Sequence, residues 1–153
     1  MANFHIKGKT AVITGASGIL CSTLARELAA HGAKIALLDI APERAGQLAQ
    51  EINGAGAEAV SFYCDVLNRE SIEKAGQAVA NRFGGVDILI NGAGGNKPAA
   101  TASPELSFFD LPGDALSWVL NLNLMGTIYP TQVFGRFMAK QGSGCVVSIY
   151  SMA

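Results

Sequence analysis

Charged side chains are scarce in this chain. Only 15% of its 153 residues are charged, and 11 Lys/Arg against 12 Asp/Glu leave a formal net charge of −1. So even a balance offers no basic face to nucleic acid and no acidic tail. Cysteine is sparse too: Cys21, Cys64 and Cys145 lie far apart, without the paired spacing of a disulfide frame or a metal site. They read as small, buried residues of a reducing compartment. The two histidines, His5 and His31, stand alone, so no metal is expected. Residues 1–7 lack the apolar stretch of a signal peptide, and no apolar run is long enough to span a bilayer. The expectation is a cytoplasmic protein with a small-molecule substrate, and with neither nucleic acid nor membrane as partner. Hydrophobic residues make up 50% of the chain, which excludes disorder, and 153 residues suit one domain with a sizeable core.

What is present is a regular alternation of short apolar runs and amphipathic stretches. Residues 9–14, 33–38, 60–64, 86–90 and 146–149 read as strands, the second apolar throughout, as a strand covered on both faces should be. Between them, residues 18–31 carry Leu20, Leu24 and Leu28 on one helical stripe, with Cys21, Ala25 and Ala29 beside it. A second helix opens at Pro42 and turns Ala45, Leu48, Ala49 and Ile52 to the sheet. A third has Ile72, Ala75, Val79 and Phe83 on one stripe before Gly84-Gly85. Residues 95–113, with Pro98, Pro104 and Pro112, read as a long loop. Residues 114–140 read as one long helix that is apolar on two faces, in which Pro130 should make a kink or remove one backbone hydrogen bond. Such a helix meets its own sheet and something else, which predicts a homo-oligomer. The fold class is α/β: a Rossmann-type doubly wound parallel sheet in the order 3-2-1-4-5.

The chemistry sits where strands end. Thr14-Gly15-Ala16-Ser17-Gly18-Ile19-Leu20 is a strand, a glycine turn and the start of a helix, where unpaired N–H groups and the helix dipole attract phosphate. Gly15 permits the tight turn, and Gly18 lets backbone approach a pyrophosphate; Ser17, Ile19 and Leu20 complete this cofactor-binding turn. Asp39 ends the second strand, where a carboxylate can accept both ribose hydroxyls and repel a 2′-phosphate, favouring NAD over NADP. The bland alternative is a solvated Asp ahead of Pro42. Asn91-Gly92-Ala93-Gly94 follows the fourth strand, and its small residues let a cofactor lie against the turn. Here Asn91, Ala93 and Gly94 are the expected contacts.

With these landmarks, the chain resembles the short-chain dehydrogenase/reductase family from about residue 4 to residue 153. The family turn is Thr-Gly-x-x-x-Gly-x-Gly, whereas Ile19 and Cys21 stand here where its second and third glycines would be. Cys21 should push its helix slightly away from the neighbouring strand. The Gly18-Ile19-Leu20-Cys21 form, the Asn91-Gly92-Ala93-Gly94-Gly95-Asn96 run and Gly126-Thr127-x-x-Pro130-Thr131-Gln132 resemble the D-mannonate (fructuronate) oxidoreductase-like subgroup.

That resemblance implies an NAD-dependent oxidoreductase transferring a hydride between nicotinamide and an alcohol or ketone, such as a sugar acid. It implies that Asp65 and Val66 contact adenine, with an N-cap role near Asn68 as the alternative. It also implies that Asn123 holds a proton-relay water and that Ser151 hydrogen-bonds the substrate oxygen, with Ser148 the competing serine. Tyr150 directly precedes that serine and is not the family's catalytic tyrosine. The family's Tyr-x-x-x-Lys lies about a dozen residues beyond it and is absent here. The expectation is therefore a domain truncated after its fifth strand, lacking the C-terminal strands and essentially inactive by itself. Two other readings are a nucleotide-binding fragment without chemistry and a Rossmann-like methyltransferase. Ser151 and the Asn-Gly-Ala-Gly turn speak against the methyltransferase.

Overall fold

A computed structural model describes residues 5–150. Five strands, β1 (Thr10–Thr14), β2 (Lys34–Asp39), β3 (Glu58–Tyr63), β4 (Ile88–Asn91) and β5 (Cys145–Ser148), form one sheet in the order β3-β2-β1-β4-β5. Every pair is parallel, so each connection crosses over the sheet, and helices α1 (Ile19–Ala30), α2 (Pro42–Gly54) and α3 (Arg69–Phe83) provide three of these crossovers. The predicted sheet order is the observed one.

β1 is buried along its whole length because both of its faces are covered. Ala11 and Ile13 face a core built with Ala25 and Ala29 of α1 and Leu48 and Ile52 of α2. Val12, one residue out of phase, faces a second core with Ile72 and Val79 of α3 and Phe134 and Met138 beyond β4. The fully buried stripe of α1 is Cys21, Ala25 and Ala29; Leu28 packs at the edge of the same core, while Leu20 is exposed. Small residues let the helix approach closely, and the leucines fall to its flank. Cys21 and Cys64 are buried as expected, but Cys145 is exposed on β5.

The long helix is where periodicity misleads. It comprises α4 (Gly113–Leu120), a π-helical turn over Asn121–Met125 and α5 (Gly126–Gln141). The π turn shifts the hydrogen-bond ladder by one residue, which re-phases the apolar stripe between α4 and α5. Pro130 follows within α5 and has no N–H to give. Gly76 of α3 makes room for α5: a Cβ there would stand 3.1 Å from Val133 and 3.2 Å from Phe137. The loop ahead of α4 contains 3-10 turns at Pro98–Ala100 and Phe108–Asp110. Among the described residues, no helix is long and apolar enough to cross a membrane.

Candidate functional site

The register aligns the carboxyl ends of three central strands. Thr14 is level with Leu38 on one side and Asn91 on the other, and Asn91 is level with Ser148. Strand order reverses across β1, between β2 and β4, so the chain leaving β1 and the chain leaving β4 run to helices on opposite faces of the sheet, and a crevice opens above the strand ends. A cleft of about 320 Å³ occupies this place. The turn after β1 gives it Gly15, Ser17 and Gly18; the end of β2 gives Asp39 and Ile40; the end of β3 gives Cys64, Asp65 and Val66. Gly92, Ala93 and Gly94 follow β4, while Arg44 of α2 and Leu122 of the π turn close the sides.

Glycine is required at two points of this wall. Gly15 has φ +61°, and a Cβ on it would stand 2.8 Å from the Ala93 Cα. The turns after β1 and β4 therefore touch backbone to backbone. Thr14 ties them together, its Oγ1 accepting the N–H groups of Gly92 and Ala93 at 3.1 and 3.2 Å. A Cβ on Gly92 would collide with the Cys21 sulfur. Cys21 thus fills the space that Gly92 leaves empty and stays 4% exposed, which is how the sheet accommodates cysteine where the family pattern has glycine.

Asp39 is 7% exposed and already holds the glycine turn. One carboxylate oxygen accepts from the Ser17 N–H at 2.8 Å and the Ser17 hydroxyl at 2.7 Å; the other accepts from the Ala41 N–H at 3.0 Å. Arg44 grips the opposite side of the same residue, donating to the Ser17 carbonyl at 3.2 Å. Behind these groups α1 begins at Gly18 with no side-chain cap and no acidic residue in its first turn. Its first N–H groups are left for a ligand, and Ile19 is 91% exposed at that end. Backbone bared by glycine, an uncapped helix start and a carboxylate at the end of the second strand together fit a dinucleotide.

Cys64 and Asp65 lie on the other side. Burial, reinforced by the charges of Asp65 and Asp39, pushes the Cys64 thiol up to about 12. Burial and Asp39 likewise raise Cys21 above its ordinary value. Neither thiol ionises near neutrality, so both act as packing. Asp65 accepts the Leu67 N–H at 2.9 Å, while the N-cap of α3 is Asn68, which accepts from the Ser71 N–H.

The structure brings together Gly15, Ser17, Gly18, Asp39, Asp65, Val66, Ala93 and Gly94. Ile19 and Leu20 lie just outside, at the start of α1. Asn91 turns inward: it is 1% exposed and donates to Thr131 at 2.9 Å and Ser148 at 3.3 Å. Asn123 clasps the loop after β4. Its oxygen accepts from the Gly95 N–H at 3.1 Å, and its amide donates at 2.8 Å to the carbonyls of Gly95 and Val119. Ser151 lies outside the described residues. Sequence reasoning did not assign Ile40, Arg44, Cys64, Gly92 or Leu122 to the site. Gly92, inside a motif already singled out, was the easiest of these to find. Among the described residues, no group of three or more His, Cys, Asp or Glu could hold a metal ion.

Fold and cleft define a doubly wound α/β protein of the Rossmann type, with a nucleotide-sized crevice at its switch point. The chain belongs to the short chain dehydrogenase family, which it matches over residues 9–153. It is 42% identical over 157 residues to UxuB, an uncharacterized oxidoreductase of Bacillus subtilis, aligning 97% of this chain with 56% of that one. A solved structure from Haemophilus influenza, assigned as a D-mannonate oxidoreductase and carrying NAD, superimposes with a TM-score of 0.89 at 41% identity. It covers 99% of this chain, which covers 57% of it. An NAD+-bound xylitol dehydrogenase gives a TM-score of 0.88 at 32% identity, over 97% of this chain and 55% of that protein. The chain thus spans little more than half the length of these relatives.

Proposed function

We propose that this chain is the cofactor-binding part of an NAD-dependent oxidoreductase. Its substrate is a polyhydroxylated alcohol or ketone, with a sugar acid such as mannonate or fructuronate the leading class. The observation that carries this reading is the cleft at the switch point, with the uncapped start of α1 on one side and buried Asp39 on the other. The names of the two NAD-carrying neighbours, one acting on xylitol and one assigned to D-mannonate, support the substrate class.

Gly15, Ser17, Gly18, Ile19 and Leu20 would receive the pyrophosphate, Asp39 the adenosine ribose, Asp65 and Val66 the adenine. Asn91, Ala93 and Gly94 would form the floor, with Asn91 acting from behind. Asp39 has room for fewer new bonds than a bare carboxylate, since Ser17 and Ala41 already use three acceptor positions. Its negative charge beside Asp65 opposes a 2′-phosphate. When bound, the cofactor supplies the hydride chemistry. Ser151 would orient the substrate oxygen, and Asn123 would fix the loop beneath it and hold a water. A homo-oligomer joined through the exposed apolar face of α4 and its π turn, and a cytoplasmic location consistent with free Cys21 and Cys64, belong to the same proposal. Calorimetric titration tests the core of it. NAD should bind more tightly than NADP, and equal or better binding of NADP defeats the assignment of Asp39.

A further inference from the structure

Lys97 is isolated along the chain. Between Arg82 and Arg136 the only Lys or Arg is Lys97. Five of the chain's other basic residues, Lys9, Arg26, Arg69, Lys74 and Arg82, are paired with carboxylates. Lys97 has no such partner among the described residues. Its Nζ instead lies 4.1 Å from the centre of the Trp118 ring. A cation held on an aromatic face keeps its full charge and its outward hydrogen-bonding capacity.

The position is fixed as well as unpaired. The Lys97 N–H donates to the Asn96 side chain at 2.8 Å. Its carbonyl accepts from the Ala100 N–H at 2.9 Å and from the Thr101 hydroxyl at 3.2 Å. The chain reaches Lys97 only three residues after Gly94, which lines the cleft, and two after Gly95, which Asn123 clasps. Trp118 lies four residues before Leu122, which lines the cleft. The lysine thus follows the β4 side of the cleft, across β1 from Asp39 and Asp65, without itself lining it. Trp118 is its platform.

We infer that Lys97 is a specificity-determining residue that receives the carboxylate of an acidic polyol substrate. This rests on the proposed oxidoreductase reading and adds the group that separates sugar acids from neutral polyols. A pre-positioned ammonium gives up little freedom when a carboxylate arrives, and such a contact is worth about tenfold or more in affinity.

The test uses the protein as its gene encodes it, with NAD and two probes of the same carbon skeleton: D-mannonate and the neutral alditol D-mannitol. In Lys97→Met, which keeps the apolar stem over Trp118, kcat/KM for mannonate should fall about tenfold or more, mainly through KM. The value for mannitol should stay within a factor of two. Lys97→Arg should restore most of the preference for mannonate. Equal losses on both probes, or no loss on either, overturn the assignment. If neither probe is turned over, calorimetric titration of mannonate onto the NAD complex decides: binding lost in Lys97→Met but kept in Lys97→Arg supports it, and any other result overturns it. NAD affinity, measured in the same proteins, reports separately on the oxidoreductase reading.

Discussion

The two flanks of the sheet differ sharply. On one side β2 is buried from Ile35 to Asp39, sealed by α1 and α2 on one face and by α3 on the other, and its last residue clamps the glycine turn. On the other side Val146 and Val147 of β5 are 42% and 45% exposed, and Leu120 and Leu124 also face outward. The flank that would hold adenosine is finished within this chain: core, turn and carboxylate are all closed. Among the described residues, the flank that would hold substrate is open, with an exposed strand and an exposed helix face. Cofactor recognition can be local, because a dinucleotide needs only strand ends and a helix start. Substrate recognition needs walls assembled from several elements.

The strongest attack on this contrast is to ask the 153 residues to work alone. Neither Tyr63 nor Tyr129 has a lysine four residues on. Turnover, followed by NADH absorbance against mannonate, fructuronate and related sugars, should lie at least about 10²–10⁴-fold below that of a protein as long as its relatives. Comparable rates from the short chain would show the open flank to be sufficient.

Within the closed flank, Gly15→Val should abolish NAD binding in calorimetry, because φ +61° and contact with Ala93 leave a branched side chain no room. Gly92→Val, which drives into Cys21, should lower stability by about 1–3 kcal/mol in denaturant melts. Gly92→Val placed in a Cys21→Gly background should recover much of that loss.

Asp39→Ala should weaken NAD by about tenfold and narrow its advantage over NADP. Because Asp39 also holds Ser17, part of this loss should reappear in Ser17→Ala, and an Asp39→Ala variant with unchanged preference removes the ribose assignment.

Alkaline pH offers a milder probe. The Cys64 thiol is raised to about 12 from an ordinary 9.0, so the unfolded chain releases this proton first. Stability should therefore be intact below pH 9 and decline between pH 9 and 12, by at most about 1.4 kcal/mol per unit. Cys64→Ala should flatten that slope. The smallest effect is expected on the open flank: Val147→Lys should barely change thermal stability yet reduce light scattering from the isolated chain.

Much of this was legible in the sequence because the relevant signals are local. Five apolar runs were enough for the sheet order, and the two glycine turns with Asp39 at a strand end for six of the residues that line the cleft; Asp65 and Val66 came from the family resemblance. Other features were hidden for physical reasons. Arg44 and Leu122 enter the cleft from α2 and the π turn, so only tertiary packing places them there. A π turn inserts a single residue into the helical repeat, which a periodicity argument passes over without a break. Leu20, Leu24 and Leu28 form one stripe of α1 with Cys21, Ala25 and Ala29 beside it, and only closeness to the sheet selects the second set for full burial. Asn91 sits in the expected motif but spends its amide on Thr131 and Ser148, a choice set by register between β4 and β5.

The single volume shared by Cys21 and Gly92 also constrains the order in which these positions can diverge. A lineage that first shrinks residue 21 to glycine opens a small gap, which a side chain at residue 92 can later occupy. The reverse path passes through an intermediate with two groups in one space. Each residue thus sets what the other tolerates, and exchanges between small and large at these two sites should travel in one direction first.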